Sequence, residues 1–306
     1  MPLAARPGAV LVLAVAAVSS ASVLISLSLA QGVPAITIAA LRMGFASIVV
    51  VPVAFLRSRS EIRSIPAGDL LLCVLSGALL AVHFAFWTSS LAKTSVMSSA
   101  VLVSTNPVFV GIASAIVYRE RLGAWAIAGI AVAAVGGVVV GFADLGQAGG
   151  GSLGGDLLAL LGALAGSGYL LVGRGVRSRL SLTAYIGIAY FTSAVLLLCL
   201  AAVTRTPLGG YPAAGYLWIA VLAAGPQLIG HTSYNWALKY VTATFVTVTL
   251  LAEPVGATLL AVPVLGQVPT PVRVAGAVLI LAGIILAARS EARARGLALP
   301  NKEKAA

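Results

Sequence analysis

Few side chains in this sequence can do chemistry, and four of them interrupt apolar runs: Arg42, His83, His231 and Glu253. An ionised group at the centre of a lipid-embedded helix costs on the order of 3 kcal/mol on insertion scales, so each needs a partner, a proton or a polar cavity. Glu253 falls near the middle of the apolar stretch 242–265 and is followed by Pro254. Two roles are open to it: a carboxylate that couples protons or binds an amine, or a protonated or paired acid that stabilises a helix break at Pro254. Arg42 offers the planar donor fork that suits a substrate carboxylate. The alternatives are an internal structural pair or a stem that snorkels to the interface. His83, Phe86, Trp87 and Ser90 recur at helical spacing and share one face, a candidate wall for an apolar or aromatic ligand. A packing histidine with its own hydrogen-bond partner is the competing reading.

Asn106-Pro107 stands in one apolar stretch as Glu253-Pro254 stands in another. A proline removes one intrahelical hydrogen bond, so Pro107 and Pro254 are candidate hinges that leave carbonyls free to face a path through the protein. Ser20 and its neighbours, and Tyr169 beside Gly166 and Ser167, suit close helix packing; Tyr169 could also meet a ligand from the side opposite His83. Tyr234, with His231, Asn235 and Trp236, reads either as cavity lining or as an aromatic belt at headgroup depth. No His-Glu-x-x-His or Gly-x-Ser-x-Gly occurs, and eight acids in the whole chain are too few for a metal cage. No catalytic residue, metal or cofactor is therefore expected. Cys73 and Cys199 lie in apolar runs and are expected to pack.

The elements that must carry these residues follow from composition. Of 306 residues, 60% are hydrophobic and 9% charged, with a mean hydropathy of +1.08. Soluble chains carry roughly 25% charged residues, so a soluble enzyme is excluded. The net charge of +11 is scattered between apolar runs and marks loops on one membrane face, which argues against a nucleic-acid partner. A spanning helix takes about 20 apolar residues. Spans are expected near 8–30, 34–56, 69–92, 95–118, 122–143, 155–173, 183–204, 213–237, 242–265 and 271–289. With the N-terminus inside, 15 of the 19 basic residues lie on the inner side and three, Lys93, Arg205 and Arg273, outside; Arg42 lies within a span. That asymmetry predicts an even number of spans and both termini in the cytoplasm.

The chain also matches itself. A shift of 147 positions places Gly8 on Gly155, Leu91 on Leu238, Pro107 on Pro254, Gly129 on Gly276 and Gly136 on Gly283. Residues 1–147 thus form one repeat of five helices and 148–289 a second, with a basic tail at 290–306. An odd number of spans per repeat inserts the second upside down, an arrangement suited to alternating access. The glycine-rich join 144–156 lacks the Gly-Lys-Ser/Thr of a phosphate loop and reads as a linker.

These features carry a resemblance. The order of spans, Ala40-Leu41-Arg42, Asn106-Pro107, Arg119-Glu120-Arg121-Leu122, Arg174 and Glu253-Pro254-Val255 resemble the EamA family of the drug/metabolite transporter superfamily. Gln267 departs from that pattern, because the second repeat usually carries an acid where Glu120 stands in the first. The resemblance implies an all-α integral membrane protein, ten transmembrane helices in two inverted five-helix repeats. It also implies a multi-pass transporter of the bacterial inner membrane that exports small metabolites, among them amino acids including aromatic ones. Competing readings are an exporter of lipophilic cations or drugs bound at Glu253, a sugar-phosphate or nucleotide-sugar exchanger, and a non-transporting membrane scaffold. The partners expected are a small-molecule substrate and the lipid bilayer, with the protein a monomer or a homodimer.

Overall fold

The computed structural model describes residues 7–93, 99, 102–103, 105–117, 119, 123–142, 153–253, 255–257, 259–260 and 271–294. Pro254, Glu120 and Gln267 lie outside them. The chain order is α1 (Pro7–Val18), α2 (Ala21–Ala30), α3 (Ala35–Arg63), α4 (Ala67–Leu91), α5 (Asn106–Val117), α6 (Ala124–Phe142), α7 (Leu153–Arg177), α8 (Leu182–Val203) and α9 (Ala213–Leu222). A π-helix over Ala223–His231 then leads into α10 (Thr232–Ala237), α11 (Ala243–Leu250) and α12 (Pro271–Ala294). Six spans are long and apolar enough to cross a membrane: α1 with α2, α3, α4, α7, α8, and α9 continued through α10. Four shorter apolar helices, Asn106–Val117, Ala124–Gly136, Ala243–Ala257 and Val274–Ala287, stand among the described residues besides these.

Local chemistry sets the helix ends. Gly32 adopts φ +78, a left-handed conformation open to glycine, and closes α2 so that Val33-Pro34 can start α3. Pro66 and Pro212 stand extended just before α4 and α9. Ser181 and Thr242 cap α8 and α11, each side chain accepting from the backbone N–H three residues on.

Burial divides each helix into an inner and an outer face. Ala39, Ala40, Met43 and Ala46 of α3 are enclosed, whereas Ile48 and Leu56 on the same helix are 71% and 81% exposed. Exposed large aliphatics are the pattern of helices solvated by hydrocarbon, and close backbone approach at small residues holds such helices together. The α6–α12 contact makes this concrete. A Cβ at Gly129 would come within 2.7 Å of Gly283 O, and one at Gly136 within 2.7 Å of Gly276 O. The order of these pairs makes the two helices antiparallel. Under the 147-residue shift each pair is the image of the other, and Ala133 and Ile280, also images, are both fully buried between them.

Several spans depart from expectation. The first is broken: Ser19 and Ser20 form a turn between α1 and α2, and their hydroxyls donate to Val15 O and Ala17 O. The second runs on to Arg63 with a kink at Ser58, so Arg57, Arg59 and Arg63 ride on a helix instead of a loop. Pro107 is the second residue of α5 and Thr105 before it is a turn. The chain breaks there, where a kink within one continuous helix was expected. Leu251 and Ala252 make the matching turn before Glu253. Cys73 is buried, but Cys199 is exposed on the outer face and does not pack.

Candidate functional site

The site grows from the contact of α4 with α7. Gly162 and Gly166 of α7 leave room for the α4 backbone; a Cβ at Gly166 would sit 2.7 Å from His83 Nδ1. That closeness sets His83 Nδ1 2.8 Å from Gly162 O. A carbonyl only accepts, so Nδ1 carries the proton and the neutral ring keeps Nε2 as acceptor. His83 stacks on Trp87, with centroids 5.9 Å apart, and tilts against Phe84 at 5.0 Å. Phe86, expected on this face, is only partly buried and makes no ring contact with the group. Phe84 takes its place, one step round the helix toward the interior.

Phe84 joins the aromatic group to the charges. The Arg42 guanidinium lies over its ring at 3.9 Å, and the His231 ring meets its edge at 5.3 Å. His231 in turn lies 6.4 Å from Tyr169 and 6.3 Å from Tyr234. Tyr234 is 1% exposed, which places it inside the bundle and not in a headgroup belt. Arg42 does not snorkel either, being 1% exposed. Its Nε donates to Gln227 Oε1 at 3.1 Å, while Nη1 and Nη2 have no hydrogen-bond partner among the described residues. Among the described residues no ion pair within 4.0 Å joins Arg42 to Glu253.

Gln227 and His231 reach this place because of the π-helix. Pro226 lacks an N–H and cannot continue an α ladder; the chain widens over Ala223–His231, turning Gln227 and His231 inward. Beyond it a hydroxyl network spans α7, α8 and α10. Asn235 Nδ2 donates to Tyr169 Oη at 2.5 Å and to Tyr190 Oη at 3.3 Å, and Tyr190 Oη lies 3.2 Å from Thr232 Oγ1. Tyr234 Oη and Asn235 Oδ1 are buried without partners among the described residues. With the two Arg42 nitrogens they are donors and acceptors among aromatic rings, an arrangement that can hold a small polar molecule by its head and an apolar body by its side. Each left dry costs about 1–3 kcal/mol, so water or a solute must reach them.

The remaining candidates have hydrogen-bond partners outside this group. Asn106 Oδ1 accepts from Ser167 Oγ at 2.9 Å, which ties the start of α5 to α7. The Ser20 hydroxyl is used by its own helix. Among the described residues no three His, Cys, Asp or Glu side chains cluster as a metal site would require.

At the α7–α8 turn a second polar group closes one end of the bundle. Arg177 Nε donates to Asn235 O at 3.0 Å and its Nη1 to Leu180 O; Arg174 donates to Val241 O. Arg179 pairs with Asp69 at 2.6 Å, and Ser181 N donates to Glu61 Oε1 at 2.7 Å. Sequence reasoning treated Arg177 and Arg179 only as topology markers and Arg174 as one of the residues that carry the family resemblance. It also missed Gln227 and Tyr190, for which Pro226 inside a long apolar run was the one available signal.

The decisive comparison is with known families. The EamA-like transporter family matches residues 6–142 and again 153–289. The chain belongs to the EamA-like transporter family. Its two matches are displaced by the same 147 residues at both ends, from 6 to 153 and from 142 to 289, the shift at which this EamA-like chain matches itself. No curated protein matches the chain. A solved crystal structure of a protein matches with a TM-score of 0.76 at 22% identity, over 93% of this chain and 97% of that one; at this identity the likeness speaks for the fold.

Proposed function

We propose that this EamA-like protein is an inner-membrane exporter of small metabolites, foremost amino acids including aromatic ones, working by alternating access around the Arg42 site. The convergence of unpartnered polar groups with Phe84, His231 and Tyr234 carries this reading. Arg42 Nη1 and Nη2 are free donors among the described residues, and aromatic walls favour an apolar side chain. A sugar phosphate is a poorer cargo, since Arg42 is the one basic residue the sequence places within a span.

Ten spans in two inverted repeats, with both termini cytoplasmic, fit the basic-residue asymmetry, and the antiparallel α6–α12 contact supports them. In that orientation the Arg177–Asn235 and Glu61–Ser181 contacts lie at the cytoplasmic end. The test is counterflow: purified protein in vesicles loaded with one unlabelled amino acid at a time should accumulate a labelled one. Silence across amino acids, lipophilic cations and phosphorylated metabolites alike would leave a non-transporting scaffold.

A further inference from the structure

We propose that the foot of α3 binds an anionic phospholipid, with the lipid phosphate on Arg59 and Arg63 and its acyl chains along Phe55 and Leu56. This stands apart from the transport reading, since it needs only that the chain spans a bilayer.

The helix does not stop where its apolar run stops. From the exposed Val53, Phe55 and Leu56 it continues through Arg57, Arg59 and Arg63, all three exposed, with a kink at Ser58. That kink is anchored. The buried Ser58 sets its Oγ 2.5 Å from Thr183 Oγ1 and 3.3 Å from Ser181 Oγ, at the start of α8. The basic turns are therefore held against the bundle by one face while the other looks outward. On the outward face Arg59 follows Phe55, and Arg63 follows Arg59, at the four-residue spacing that stacks side chains along a helix.

The contact of Arg59 with Phe55 carries the inference. The guanidinium lies over the ring at 4.8 Å from its centroid, so the charge is held back along the helix toward the apolar surface. An exposed ring on a spanning helix meets lipid, and the cation beside it sits where headgroups join acyl chains. The acids near it are engaged elsewhere: Glu61 Oε1 accepts from Ser181 N at 2.7 Å and Asp69 pairs with Arg179 at 2.6 Å. Among the described residues Arg57, Arg59 and Arg63 have no ion pair. The anion that completes them must come from the bilayer. A guanidinium fork matches the two free oxygens of a phosphodiester. A zwitterionic headgroup brings a cation of its own, which three arginines repel, so the fit is to a lipid with net negative charge.

The experiment titrates the full-length protein, purified in a neutral detergent, with phosphatidylglycerol or with phosphatidylcholine of the same chains, and counts bound lipid by native mass spectrometry. The first phosphatidylglycerol should bind at least ~10-fold more tightly than phosphatidylcholine. Arg59→Gln and Arg63→Gln should each weaken it by about fivefold, and together abolish the preference. Arg205→Gln, which removes an exposed arginine just past the opposite end of α8, should leave the preference intact, as should millimolar inorganic phosphate. Equal binding of the two lipids would overturn the inference, and so would a preference that survives in the folded double variant. A loss as large in R205Q would mean that net charge alone attracts the lipid, and displacement by inorganic phosphate would assign the arginines to a soluble anion; either result overturns the lipid site.

Discussion

At the scale of single residues, packing and recognition are carried by neighbours on the same helices. Gly166 is the clearest case. Gly166→Ala puts a methyl group 2.7 Å from His83 Nδ1 and must push the ring off Gly162 O. We expect a loss of about 1–3 kcal/mol, read as a lower melting temperature in detergent; an unchanged melting curve would refute the close α4–α7 approach. Gln227→Ala acts differently, since it removes the acceptor that holds Arg42 Nε in place. Half-saturation for amino acids should rise by roughly tenfold, the worth of one charge-assisted hydrogen bond, and the melting temperature should fall by the cost of one buried donor left unpaired, about 1–3 kcal/mol. The charged and aromatic candidates Arg42, His83, Trp87, Tyr169, Tyr234 and Glu253 could be singled out because polar or ring-bearing groups at membrane depth are conspicuous. Phe84 could not be separated from Phe86, as both sit within one helical turn of His83 and only the direction of α7 decides which faces in. Tyr190 and Gln227 were hidden because their roles depend on partners far along the chain.

At the scale of elements, the π-helix is the feature that the sequence concealed. Hydropathy is blind to a change in helical winding, and Gly225-Pro226 within an otherwise apolar run gives a place for irregularity without its type. Nine residues wound this way present Gln227 and His231 together with Tyr234 on the next turn. Pro226→Ala restores a backbone donor and allows ordinary winding, which would carry Gln227 away from Arg42. Transport should fall at least ~10-fold with helix content and melting temperature maintained or raised; full activity in P226A would sink the link between winding and site. The helix lengths were legible because continuous apolar runs are long, but the turn at Ser19-Ser20 was not. Serine hydroxyls can bond to the preceding turn in either a straight or a broken helix, so composition alone cannot locate such a break.

For the whole molecule, orientation is directly measurable. After Cys199→Ala, a cysteine introduced at Ser64 should be shielded from an impermeant thiol reagent in intact cells and one at Thr206 should react; both reacting from outside would contradict the proposed topology. Two-repeat organisation was legible from glycines and prolines at a fixed shift, while the way the repeats touch was not, since a shift says nothing of contact. The α6–α12 contact supplies that part: Gly129 meets Gly283 and Gly136 meets Gly276, with Ala133 and Ile280 between them.

Because those contacts are images of one another, a single surface on a half-length chain would suffice to make both. Such a chain would stick to a copy of itself lying the other way up. The present protein, cut within its glycine-rich join and produced as two pieces from separate messages, should therefore reassemble into a working unit, and the tether would serve to fix partner choice and stoichiometry more than to hold the halves together.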